Sequence, residues 1–170
     1  MRAIGCRPAL CCVTVVLLVG STVPALADPK GEIRRVEAVL DDFHEAAAKA
    51  DGERYFSHLA PSGVFLGTDA SERWTKSQFQ AFAEPYFAQG TGWAYTPRDR
   101  HVVLAADGKT AWFDELLDNE SYGECRGTGA LQLYDGEWKI EQYHLTIPMP
   151  NDLAKDFVAR IREHAGSMSP

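Results

Sequence analysis

Cysteine is almost missing from the body of this chain. Of the four in the 170-residue sequence, Cys6, Cys11 and Cys12 crowd the first dozen residues and Cys125 stands alone afterwards. One thiol cannot close an internal disulfide, so the fold must rest on packing rather than on cross-links. Paired metal-ligand spacing is also lacking. His44 is followed by Glu45, as in a zinc-protease helix, but position 48 is alanine, so the second ligand is absent. His58, His101 and His164 offer no better spacing. Ser62 lies in a proline–serine–glycine turn, and no phosphate loop or dinucleotide fingerprint occurs. Neither a metal nor another cofactor is expected. Acidic side chains outnumber basic ones, 24 to 17, which argues against nucleic acid or an anionic membrane as a partner.

A long apolar run occurs once, from Ala9 to Val19, after the basic Arg2 and Arg7. Ala25 and Ala27 supply the small residues that a signal peptidase reads. Residues 1–27 are therefore expected to be an export signal, cut after Ala27, the alternative being an uncleaved anchor. The run is shorter than the ~20 residues that span a bilayer. Removal would leave 143 residues with 15 basic against 24 acidic side chains, a net charge of −9. That length suits one domain. The expected location is periplasmic or secreted.

What is present falls into helices first and strands afterwards. From Glu32 to Ala50, Ile33, Val36, Leu40, Phe43 and Ala47 recur at helical spacing and form one stripe. Arg54–Leu59 reads as a short second helix, residues 60–63 as a turn, and Val64–Leu66 as a strand. Thr75 and Gln78 have the pattern of a capping box, opening a helix that carries Phe79, Phe82 and Tyr86 inward and loosens near Pro85. Five strand-like segments follow: Trp93–Thr96, Arg100–Ala105, Thr110–Leu117, Glu124–Tyr134 and Trp138–Ile147. Asp107 with Gly108, and Asp135 with Gly136, are two-residue hairpin signals. Such short connections predict an antiparallel sheet. Pro148 and Pro150 end it, and Asn151 is placed to cap a last helix bearing Leu153, Phe157 and Ile161.

This order resembles the nuclear transport factor 2-like superfamily, in its SnoaL-like branch. The residues that carry the resemblance are Phe43–Asp51, Gly63–Leu66, Trp74–Phe79, and Gly136–Ile140 with His144. It implies an α+β fold in which a cone-shaped, curved antiparallel sheet wraps around the N-terminal helices. Residues 28–150 would form the domain, and 151–170 a C-terminal helix and tail. The superfamily includes isomerases, cyclases, dehydratases and epoxide hydrolases, besides domains that only bind or assemble, and its members are commonly dimers. The fold thus implies a pocket and not a reaction. Isomerase-type members place a tyrosine and an aspartate at the positions that align with Phe43 and Gly67. Neither residue here can supply that chemistry.

Strand alternation selects what faces the helices. Along the last strand it turns Trp138, Ile140, Gln142 and His144 inward and Tyr143 outward. In the strand from Thr110 the more apolar series is Ala111, Phe113, Glu115 and Leu117, with Glu115 inside; the rival series puts Asp114 there, and a bulge would exchange them. Glu115 beside His144 would form an acid–base pair, burial raising the carboxyl pKa and lowering that of histidine. The bland alternative is a satisfied core carboxylate. Arg126 points outward by alternation, or inward toward a ligand if the neighbouring glycines shift the register. Cys125 reads as a small core residue. Trp93 and Tyr95 would stand at the pocket mouth, with Gln142, Tyr143, Arg126 and Asp114 completing the candidate binding set.

Two functions are compatible with these residues. One is a homodimeric domain holding a small hydrophobic or amphipathic ligand, with cofactor-free acid–base catalysis by Glu115 and His144. The other is a binding or assembly module. Its outer sheet face would carry Trp112, Leu116, Tyr134, Tyr143 and Leu145.

Overall fold

The computed structural model describes residues 28–167. The expected export signal lies outside them. Helix α1 (Pro29–Ala48) starts where Asp28 accepts hydrogen bonds from the N–H groups of Lys30 and Gly31, with Pro29 in the first turn. Its predicted stripe is buried at Val36, Leu40, Phe43 and Ala47, and His44 is buried alongside. Helix α2 (Gly52–Ser57) is capped by Asp51 and buries Tyr55 and Phe56. Arg54 and His58 at the end of α2 both grip Asp42 of α1.

Strand β1 (Leu59–Leu66) is longer than predicted, because the turn-like residues 60–63 form a register shift inside it. Gly63 is needed there, since a Cβ would lie 2.9 Å from the Ala60 carbonyl oxygen and 3.0 Å from that of Ile140. After β2 (Arg73–Thr75), helix α3 (Lys76–Phe87) opens with the expected Thr75–Gln78 capping box and runs through Pro85. Its buried face is Phe79, Ala83 and Phe87, at spacings of four. Phe82 and Tyr86, expected inside, are exposed.

Strands β3 (Thr96–Leu104), β4 (Thr110–Asn119), β5 (Gly123–Tyr134) and β6 (Glu137–Thr146) follow. The β5–β6 hairpin has the two-residue turn expected, with φ of 46° at Asp135 and 88° at Gly136. The β3–β4 connection is longer. Ala105 to Lys109 lie outside the strands, and Asp107 accepts from the N–H groups of Lys109 and Thr110.

The sheet order is β2-β1-β6-β5-β4-β3. All neighbours are antiparallel except β1 and β6, which run parallel. The chain reaches β6 from β1 only after a helix and four strands, so no tight turn constrains their direction. The sheet is therefore curved and mixed, and it stays open. The core lies between its inner face and α1, α2 and α3. The last helix, α4 (Ala154–Ser167), buries no residue, and no cap at Asn151 forms. Among the described residues no helix is long and apolar enough to cross a membrane.

Candidate functional site

Strand β4 is regular, so its side chains alternate as the apolar count predicts. Ala111, Phe113, Glu115 and Leu117 are buried, while Asp114 is exposed beside His101. Glu115 retains 1 % of its surface. A carboxylate this deep needs donors on both oxygens, and the fold supplies three. Oε1 accepts from His44 Nε2 at 2.7 Å and from the Tyr143 hydroxyl at 3.1 Å. Oε2 accepts from Arg100 Nε at 2.6 Å. Arg100 also donates to the Glu37 carbonyl oxygen and the Asp41 carboxylate, tying α1 to β3.

Two irregularities bring these partners together. In β6, Ala130 pairs with Gln142 and Leu131 with Ile140, which leaves Glu141 as an extra residue. Trp138 and Ile140 face inward as expected, but beyond the bulge the parity reverses. Tyr143 and Leu145 are the buried residues there, whereas Gln142 is exposed and His144 lies on the outer face. The expected Glu115–His144 pair does not form, and Gln142 does not reach the site. In β3, Asp99 and Arg100 together oppose Glu115, and Asp99 has φ of 48°. This second bulge points Arg100 at the carboxylate while Pro97, on the far side of it, stays half-buried opposite the buried Leu117.

Glycine in β5 provides the space. A Cβ at Gly127 would lie 2.4 Å from the Tyr143 hydroxyl and 2.9 Å from Glu115 Oε1. Cys125 and Gly127 face inward, so Arg126 is exposed on the outer face, as strict alternation requires.

Burial by itself pushes the Glu115 carboxyl up, yet the His44 hydrogen bond, the charge His44 carries when protonated, and the Arg100 charge hold it below its ordinary value of 4.5. The expectation of a raised carboxyl pKa fails because burial comes with cations. Burial and the Glu115 charge drive the Tyr143 hydroxyl well above its usual range, so it stays protonated and donates. An ionised Glu115 can only accept, so whenever the His44 ring is neutral its hydrogen sits on Nε2 and its lone pair on Nδ1. Nδ1 has no hydrogen-bond partner among the described residues.

His44 lines a cleft of about 230 Å³ between the sheet and the helices. Its walls hold ten rings of Phe, Tyr and Trp. Trp93 and Tyr95 are among them, although both precede β3 rather than begin it. Tyr143 also lines the cleft from the inner face. A second hollow, beneath Arg35, His58 and Lys139, has these basic side chains paired with Glu32, Asp42 and Glu137. His58 has a similar form there, with Nε2 held by Asp42 at 2.6 Å and no partner on Nδ1 among the described residues, but Asp42 is partly exposed where Glu115 is buried.

His44 and Arg100 are the site residues that sequence reasoning missed. His44 adjoins Phe43 and lies four residues after Leu40, on the buried stripe, and Arg100 shares parity with Val102 and Leu104. Those were the available signals.

A family model described as a SnoaL-like domain matches residues 36–150. No curated protein matches the chain. Among solved structures, an NTF2-like protein of unknown function from Pseudomonas putida KT2440 is 15% identical, with a TM-score of 0.62 over 72% of this chain and 91% of that one. A proposed dehydratase of the NTF2-like family from Streptomyces avermitilis is 16% identical, with a TM-score of 0.63 over 72% of this chain and 100% of that one. A proposed scytalone dehydratase from Novosphingobium aromaticivorans is 12% identical, with a TM-score of 0.61 over 73% and 89%. These likenesses show the fold.

Proposed function

The chain belongs to the SnoaL-like domain family, and on that premise we propose that it binds a small apolar or amphipathic molecule in the aromatic cleft and moves a proton on it without a cofactor. The observation that carries this is His44. One ring nitrogen is fixed by a buried carboxylate, and the other is unengaged among the described residues, in a side chain that lines the cleft. In this reading Nδ1 removes a proton from the ligand, and Glu115 stabilises the imidazolium that forms. In a dehydration, His44 would return that proton to the leaving hydroxyl, which departs as water. Arg100 and Tyr143 hold Glu115 in place. The same fold occurs in proteins described as proposed dehydratases, which is compatible with elimination.

Glu115 is retained from the sequence as the carboxylate of the pair, with its role changed from acid or base to positioning group. The test is turnover of candidate hydroxylated cyclic substrates. His44→Asn is expected to lower kcat by about 10²-fold or more, in line with general acid–base contributions, while the fold survives. Glu115→Gln should lower it less and alter its pH profile. Activity unchanged in His44→Asn ends the proposal.

Export belongs to the same reading, on the strength of Ala25 and Ala27 after the apolar run. Intact mass of protein recovered from the periplasm or medium is expected to place the first residue at Asp28. A mass that includes residues 1–27 would refute it.

A second reading, assembly without catalysis, is favoured by the outer sheet face, where Val103, Trp112 and Tyr134 are exposed. Tyr143 and Leu145, once assigned to that face, lie on the inner one. Both readings include a homodimer through this face.

A further inference from the structure

The cleft has a charge pattern as well as a shape. No lysine or arginine lines it among the described residues, and the one acidic side chain in its wall is Glu72. Glu72 is half-buried and makes no ion pair among the described residues. Its single side-chain hydrogen bond there comes from the Asp69 N–H to Oε2, at 3.1 Å.

The backbone is shaped around this carboxylate. Gly67 N donates to the Glu72 carbonyl oxygen at 2.8 Å. A Cβ at Gly67 would lie 2.1 Å from Glu72 Oε2 and 2.9 Å from its Cβ, so only glycine leaves room for the side chain there. The wall of the same cleft holds aromatic rings that keep exposed surface. Trp74 stacks on Phe82 at 4.8 Å, and Phe82 and Tyr122 retain 43% and 56% of their surface. Trp93 and Tyr95 stand half-buried in the same wall. A carboxylate without a counter-ion, set among accessible π-faces, attracts a cation through charge and ring quadrupole together. It repels an anion.

We propose that the ligand of this cleft carries a positive charge, as an amine or quaternary ammonium group on an apolar body, with Glu72 as counter-ion and Trp74, Phe82 and Tyr122 around the charged head. This rests on the cleft being the ligand site assigned above and is independent of any proton transfer by His44.

Three soluble molecules of nearly the same shape test it: choline, 3,3-dimethyl-1-butanol and 3,3-dimethylbutanoate. Their binding to the purified full chain is measured by titration calorimetry and by the fluorescence of Trp74 and Trp93. Choline is expected to bind about tenfold or more tightly than the neutral alcohol, and the carboxylate most weakly. Glu72→Gln keeps an oxygen for the Asp69 N–H. It should reduce choline affinity about tenfold, leave the alcohol unchanged and preserve the thermal melt. Gly67→Ala, which displaces the carboxylate without removing it, should act in the same direction. Equal binding of choline and alcohol overturns the proposal. So does choline affinity unchanged in Glu72→Gln, or no saturable choline binding. Because the series needs no turnover, selectivity for choline with an inert His44 would refute catalysis alone. A His44-dependent reaction on a neutral substrate, without choline selectivity, would refute this inference alone.

Discussion

Glu115 concentrates three donors on one buried carboxylate, and its replacements separate charge from shape. Glu115→Ala leaves Arg100 with only the Asp41 and Glu37 contacts in a half-buried place. It should cost about 3–5 kcal/mol in urea denaturation, the range for breaking one side of a buried ion pair. The sign of the pH effect follows from the direction of the shift. The folded protein holds this carboxyl below 4.5, so the unfolded chain binds the proton more readily. The stabilisation is complete above about 4.5 and is lost as pH falls through the lower folded value. Glu115→Gln should therefore flatten the acid side of the stability curve. A slope equal to that of the parent protein would mean that the carboxylate is not held as described. Gly127→Ala probes the same cluster from β5, because its methyl would meet the Tyr143 hydroxyl and Glu115. About 1–3 kcal/mol of overpacking is expected there.

At the scale of elements, the decisive features are two bulges. The apolar stripe of α1, the capping box of α3 and the Asp135 turn depend on neighbours within a few residues, and each was legible in the sequence. A bulge depends on how two strands register, which local composition does not state. Nothing around Glu141 announces that the alternation breaks there, and so His144 was expected where Tyr143 stands. Glu115 was legible because β4 has no bulge. Asp99 sits in the second one, with φ of 48°. Asp99→Gly should be tolerated or slightly stabilising, whereas Asp99→Val should destabilise by about 1–2 kcal/mol, since a β-branched residue resists that backbone region. Thermal unfolding of the two variants checks this. Equal melting temperatures would mean that the left-handed conformation carries no strain and that the bulge is not fixed at this residue.

For the whole molecule, the question is what covers the outer sheet face. Val103, Trp112 and Tyr134 are exposed there at 44%, 49% and 42%, and clustered apolar side chains of this kind mark association surfaces. Sedimentation should show a homodimer, and Trp112→Glu should give a folded monomer with an unchanged far-ultraviolet spectrum. A monomeric parent protein, or a variant that stays dimeric, would remove this face as the interface. The amino-acid sequence by itself determined the order of the helices and of the strands apart from β2 and the single span of β3, the SnoaL-like architecture and the inward carboxylate of β4. Hydrophobic period, capping and turn chemistry act over a few residues and can be read in line. Only the tertiary structure decided that His44, 71 residues from Glu115 along the chain, is its partner, and that β1 and β6 run parallel. It also decided that Glu72 stands in the cleft wall with no counter-ion among the described residues. Those outcomes come from registers and helix–sheet contacts between distant segments, where a single inserted residue reverses which side chains meet.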